Sequence, residues 1–294
     1  MKSCQMCRFS VRLGIIISVW SSVTVKTHSF EYNHAQCGRS APVGRVINGD
    51  MTWKPQVPWL VYIFTASQSG RGTPCGGSII TRDVVMTAAH CVKTGARIAR
   101  VVVYYNSTRL DNDNYIDVES AMVHPKYRSL DSGYNIALLK LSRPIERFDR
   151  FVRPVCLPEQ GEGTRPGPML IAGYGATSKQ NKPSDRIFYY MANVLSDRSC
   201  YRAISHQWKH IRPNVKKFFM CSKNMDRTAY TGDSGDPMTA MRGMRSIQYG
   251  IVTFGQKQNR GPAPVIHTKV SMFINWISDS LMRINRWRRF KRPY

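Results

Sequence analysis

Acidic residues are scarce in this chain of 294 residues: 18 Asp and Glu face 43 Lys and Arg, for a formal net charge of +25. The imbalance exceeds what solubility needs and predicts attraction to something anionic, although the sign does not choose among nucleic acid, sulfated polysaccharide, acidic protein and acidic lipid. No zinc-finger spacing and no RNP sequence is present, so no nucleic-acid partner is expected. Low-complexity tracts and short-period repeats are also missing, and 42% hydrophobic with 11% aromatic residues excludes disorder as the overall state. Beyond residue 20, no apolar run is long enough to span a bilayer.

What is present at the N-terminus is Lys2, Arg8 and Arg12, the apolar run from Leu13 to Trp20, and small polar residues from Ser21. That order predicts a signal peptide over residues 1–27 and a secreted, extracellular protein, an uncleaved signal anchor being the alternative. Export would also put nucleic acid out of reach and favours a sulfated polysaccharide or an acidic membrane surface. Cys4 and Cys7 fall inside the signal, leaving Cys37, Cys75, Cys91, Cys156, Cys200 and Cys221. An even count in an exported chain predicts disulfides, with the connectivity left open. These six contain no CxxC pair, which argues against zinc; no metal and no cofactor is expected. Asn106-Ser107-Thr108 is a glycosylation sequon in a polar stretch, suited to a surface loop.

A short polar segment, residues 28–45, leads into β-rich runs separated by Gly, Pro and Asn, such as residues 59–64, 100–105 and 250–254. Many short strands predict a sandwich or barrel. Near the end, Phe273, Ile277 and Leu281 recur at helical spacing. Residues 283–294 then gather Arg283, Arg286, Arg288, Arg289, Lys291 and Arg292, read either as a solvated end or as a dock for a sulfated glycan or acidic membrane.

Acyl transfer by serine needs a hydroxyl, an imidazole to take its proton, a carboxylate to orient the imidazole and amides to receive the oxyanion. Two motifs supply most of these: Thr87-Ala88-Ala89-His90-Cys91 and Gly232-Asp233-Ser234-Gly235-Asp236-Pro237. Here the sequence resembles the chymotrypsin/trypsin-like serine proteases, and weaker matches follow in the family's order. They are Arg45-Val46-Ile47-Asn48-Gly49, Cys75-Gly76-Gly77-Ser78, Ile136-Ala137-Leu138-Leu139, Val155-Cys156-Leu157-Pro158, Gly173-Tyr174-Gly175 and Thr268-Lys269-Val270. The resemblance implies an all-β fold of two six-stranded antiparallel barrels with a C-terminal helix, over residues 46–282. It makes His90 the general base, Ser234 the nucleophile, and the amides of Gly232 and Ser234 the oxyanion hole. It further implies cleavage after Arg45 by an activating protease, the freed Val46 amine pairing with Asp233, and a protein or peptide substrate. Cys75 would pair with Cys91, Cys37 with Cys156 and Cys200 with Cys221. His28, His34, His124, His206 and His210 are read as structural.

The departures from the pattern matter as much. Asn135 stands where the family has the orienting aspartate, and an amide can trap the wrong imidazole tautomer while adding no charge. In a member of this family that exchange lowers kcat by about 10⁴. Asp131 is close in sequence, with nothing to say that it turns toward His90. Asp236 replaces a glycine two residues after the nucleophile. The specificity pocket, carried by Thr228, Gly255 and Val265, has threonine at its floor in place of a carboxylate and valine narrowing a wall, so Arg and Lys substrates have no electrostatic partner. Two family disulfides are missing in pairs, at Met169 with Ala240 and at Tyr230 with residues 256–261. The expectation is a secreted serine endopeptidase of low or vestigial activity. The alternatives are a non-catalytic homologue acting as cofactor or decoy in a proteolytic cascade, and a cationic glycan- or membrane-binding protein.

Overall fold

In the computed structural model, residues 32–40, 57–106, 114–175, 187–207, 209–223, 233–254 and 264–290 are described, with the backbone alone for residues 207, 254 and 287–290. The first six strands are β1 (Leu60–Ser67), β2 (Gly72–Thr81), β3 (Val84–Thr87), β4 (Ile98–Tyr104), β5 (Tyr115–Val123) and β6 (Ala137–Leu141). They form a closed antiparallel barrel in the order β1-β2-β3-β6-β5-β4. A second closed barrel follows, β10-β11-β12-β9-β8-β7. Its strands are β7 (Gly167–Gly173), β8 (Phe188–Val194), β9 (Phe219–Lys223), β10 (Pro237–Arg242), β11 (Arg245–Phe254) and β12 (Val265–Lys269). The expected pair of six-stranded barrels is therefore what the chain forms.

β-Branched and aromatic residues dictate these strands. Val61, Ile63, Ile79, Val85, Leu138 and Leu139 are fully buried in the first barrel, each contributing about 1.5–3 kcal/mol through burial. Closure pairs the last strand with the first, Val103 opposite Ile63 and Leu170 opposite Thr239, so neither sheet exposes an edge. In the second barrel Met169 is buried in a cluster with Ile171, Met220, Met238 and Ile247, and Ala240 packs against it. Apolar packing thus occupies the place of a missing family disulfide.

Three disulfides are formed: Cys37–Cys156, Cys75–Cys91 and Cys200–Cys221. The first ties the 32–40 segment to the body. Asn33 reinforces it by donating to the Leu157 carbonyl and accepting from the Leu157 amide, at 3.0 and 2.7 Å.

Two helices complete the chain, α1 (Asp197–Gln207) and α2 (Ile274–Phe290). Ser196 caps α1, its hydroxyl accepting the Ser199 N–H at 3.2 Å. Buried Cys200 and Ile204 fall on one side of α1, and exposed Arg198 and Arg202 on the other. In α2 the buried stripe of Ile277 and Leu281 continues to Ile284. The helix therefore does not stop where the basic residues begin; Arg283 and Arg286 lie on its exposed face. No described helix is long and apolar enough to cross a membrane.

Candidate active site

The two halves of the catalytic constellation come from different barrels. Thr87 ends β3, and the 3-10 turn Ala89–Cys91 then presents His90, stapled to β2 by Cys75–Cys91. Asn135 lies just before β6, fully buried. Ser234 is partly exposed on the loop entering β10.

That loop is held from both sides. Gly76 of β2 donates its N–H to the Ser234 carbonyl at 2.8 Å, Gly235 donates to the Val252 carbonyl at 2.8 Å, and Asp236 to the Asp233 carbonyl at 3.0 Å. Gly235 has φ +90°, and a Cβ there would stand 2.2 Å from the Gly76 carbonyl oxygen, so this residue must be glycine. Two further bonds lock the barrels together beside the site. Thr268 of β12 donates its hydroxyl to the Asn135 carbonyl at 3.1 Å, and Ser78 of β2 donates to Gln248 of β11 at 2.6 Å.

The Asn135 amide is oriented by a group that can only donate. The His90 backbone N–H reaches one side-chain atom of Asn135 at 3.0 Å, which must therefore be the oxygen Oδ1. The amide nitrogen then stands 3.0 Å from His90 Nδ1, closer than Oδ1 at 3.2 Å. An NH2 facing Nδ1 suits a lone pair there, with the imidazole proton on Nε2, whereas Oδ1 at 3.2 Å can accept Nδ1–H in the other tautomer. Burial lowers the His90 pKa, a tendency opposed in part by Asn135 Oδ1, which can accept from a protonated Nδ1. Asp131 does not substitute for a carboxylate at His90: it accepts from the Ser129 hydroxyl and stands 4.0 Å from His210 Nε2.

Asp236 is wholly buried, and among the described residues neither of its carboxyl oxygens has a hydrogen-bond partner. It fits only because Gly76 and Gly173 have no side chains: a Cβ on either would lie 1.6 Å from one of its oxygens. Burial pushes its pKa well above the usual carboxylate range, and the charge of Asp233 adds to the rise. Asp233 is itself buried and packs against Gly175.

Of the specificity residues, Val265 opens β12, buried and opposite Ser222. Thr228, Gly255, Gly232, Arg45 and Val46 lie outside the described residues, as do Tyr230, residues 256–261, His28 and positions 1–30. Asn106 heads the β4–β5 connection with φ 55°, a conformation asparagine tolerates; the rest of its sequon lies outside. His34, His206 and His210 are surface groups, whereas His124 is half-buried, its pKa lowered to about 4 by burial and Lys126.

One residue escaped sequence reasoning. His267 of β12 is fully buried, its Nε2 2.8 Å from the Ser222 hydroxyl and its Nδ1 without a partner, and burial lowers its pKa to about 3. It shares a strand face with Val265. The signal that could have found it was its place two residues after Val265, on the same face of the strand. The Sγ atoms of Cys75 and Cys91 lie close to a His90 ring nitrogen, but their disulfide leaves no thiolate to bind a metal.

A double barrel whose Ser234 loop is bonded to β2 and stands 3.6 Å from Cys91 Sγ, next to His90, has the layout of the serine-hydrolase class of this architecture. A family model described as Trypsin matches residues 46–277, and the chain belongs to the trypsin-like serine protease family. Cathepsin G of Homo sapiens is 30% identical over 243 residues, covering 82% of this chain and 89% of that protein. Phenoloxidase-activating factor 1 of Holotrichia diomphalia is 28% identical over 287 residues, covering 89% and 76%. Among solved structures, that of GrC matches with a TM-score of 0.66 at 26% identity, over 81% of this chain and 100% of the other. The scabies mite inactivated protease paralogue S-D1 matches with a TM-score of 0.67 at 22% identity, over 81% and 97%, a likeness of fold alone.

Proposed function

We propose that the protein is a secreted serine endopeptidase by descent whose turnover is slowed by Asn135. The amide nitrogen 3.0 Å from His90 Nδ1 carries this reading. Peptide hydrolysis begins when Ser234 Oγ attacks the scissile carbonyl and passes its proton to His90 Nε2. With Nδ1 accepting from the amide, Nε2 already bears a proton and has no lone pair to offer. Reaction requires the other tautomer, in which Nδ1–H has only the longer contact to Oδ1, already shared with the His90 N–H, and the imidazolium gains no carboxylate. Cleavage after Arg45 by another protease would free Val46 to pair with Asp233 and organise the amides of Gly232 and Ser234. Thr228 would leave the pocket without charge, so small apolar residues are preferred over Arg and Lys. An anionic partner outside the cell, a sulfated polysaccharide or an acidic surface, suits the net charge of +25.

A second reading, a non-catalytic homologue that works by binding, draws support from the unpartnered carboxyl of Asp236 beside the nucleophile. Relatives named phenoloxidase-activating factors fit such a place in a cascade. Labelling of Arg45-cleaved protein with a fluorophosphonate separates the two. Slow labelling that disappears in Ser234→Ala supports the enzyme; a folded protein that does not label while Asn135→Asp also fails to label leaves only the binding role. Rapid cleavage of an arginyl substrate would contradict the pocket.

A further inference from the structure

Part of the excess positive charge gathers on a face that no single stretch of sequence defines. Residues 196–223 hold seven Lys and Arg and one acid, Asp197. That acid is spoken for: Lys269 Nζ donates to both its oxygens at 3.0 and 3.1 Å. The 3-10 turn Pro213–Phe218 lies against α1, where Lys216 donates to the Ser205 hydroxyl. It also lies against the connection between β5 and β6 in the first barrel, for a Cβ on Gly133 would meet Val215 and Phe218 within 3.3 Å.

At that junction the rings of Tyr134 and Phe218 stand 4.5 Å apart. Lys126 Nζ lies 5.8 Å from the first ring centroid and Lys217 Nζ 5.4 Å from the second, a cation–π seat that holds both ammonium groups in place. Lys126, Arg202, Arg212 and Lys217 are exposed, and among the described residues none has a carboxylate within 4 Å. Asp131, the acid of that connection, stands 4.0 Å from His210 Nε2, and elsewhere Glu162 takes Arg242 and Arg165, Asp117 takes Arg100, and Lys140 meets Asp83 and Glu119.

We propose that the face formed by α1, the turn Pro213–Phe218 and the connection from His124 to Tyr134 binds a sulfated polysaccharide. The proposal rests on the reading of an extracellular anionic partner and locates it. Unpaired cations from both barrels lie on these packed elements, where a linear chain of sulfates can exchange counterions for Lys and Arg. A membrane would need apolar side chains to insert. Among the described residues this face offers one large exposed apolar side chain, Leu130, whereas Met191, Met241 and Met244 belong to β8, β10 and the β10–β11 turn.

The test uses the full mature protein on immobilised heparin, and titration with a heparin fragment at several salt concentrations. Neutralising Lys126, Arg202, Arg212 and Lys217 together to Gln should weaken binding by about a hundredfold or more at 0.15 M salt and flatten the salt dependence by several ions. An unchanged melting temperature would show the fold intact, and exchanging Lys for Arg and Arg for Lys at the four sites should restore binding. Removing residues 287–294 should change affinity by less than threefold. Undiminished binding by the quadruple variant, or its collapse on removing residues 287–294 alone, would move the site off this face and overturn the proposal. No retention of wild type on heparin would refute the anionic-glycan reading itself. Capture on phosphatidylserine vesicles without heparin binding would give the surface to a membrane instead.

Discussion

Asn135 and Asp236 are both departures from the family pattern, one beside the imidazole of the first barrel and one beside the nucleophile of the second, and the structure treats them differently. Asn135 is fully buried, yet its oxygen accepts the His90 N–H and its nitrogen faces His90 Nδ1. Asp236 is equally buried, and neither of its oxygens has a partner. An amide in the aspartate's place fits the hydrogen-bonding frame, so on the proposed reading its cost falls on the chemistry alone. A carboxyl in a glycine's place sits near the chemistry and burdens the fold, since a buried polar group left unpaired costs about 1–3 kcal/mol. The proposed catalytic cost and the structural cost thus fall on two residues, and each can be tested alone.

Asn135→Asp should produce the largest change. A carboxylate in the same position accepts both the His90 N–H and Nδ1–H, frees the Nε2 lone pair and stabilises the imidazolium. Activity of the Arg45-cleaved protein toward a small apolar peptide substrate should rise at least about a hundredfold in kcat/KM, about 2.7 kcal/mol of transition-state stabilisation, with little change in melting temperature. Equal activity in a folded variant would shift the blame to the pocket or to Asp236.

Asp236→Gly should do the reverse, stabilising the fold by about 2 kcal/mol at pH 7. The pH dependence fixes the cause. Because the folded pKa is raised, Asp236 costs least below the unfolded carboxyl pKa of about 3.9 and costs progressively more as pH rises toward its folded value. Urea melts should show a gap between variant and wild type that widens from pH 4 to pH 8. A gap independent of pH would mean that steric crowding against Gly76 and Gly173, and not the buried acid, is what Asp236 costs.

Much of this architecture is legible in the amino-acid sequence. The motifs around His90 and Ser234, and the order of the weaker matches between them, imply the double barrel because short local patterns place strands and turns. What the sequence hides depends on partners distant along the chain. The Asn135 amide is oriented by the backbone of His90, and the room for Asp236 comes from two glycines on β2 and β7. The charged face is hidden for the same reason: the basic residues of positions 283–294 stand close together in the chain and attract notice, whereas Lys126 and Lys217 meet only through Tyr134 and Phe218.

His267 falls between the two cases, with Nε2 near the Ser222 hydroxyl and Nδ1 unpartnered, and it supplies the smallest and most discriminating test. Ser222→Ala removes the remaining partner and should cost about 1 kcal/mol. The loss should be the same at pH 5 and pH 8, because the ring stays neutral across that range with its pKa lowered to about 3. Adding His267→Leu should recover the loss, since removing both partners of a buried hydrogen bond is nearly neutral when the shape is kept. The double variant should also resist acid better than wild type. A histidine with a depressed folded pKa contributes stability above its unfolded pKa of about 6.5 and loses it as pH falls toward the folded value, at about 1.4 kcal/mol per pH unit. Leucine has no such loss. A double variant as unstable as Ser222→Ala alone at pH 7 would show that His267 contributes through packing. The graded series of paired, half-paired and unpaired buried groups would then have to be drawn without it.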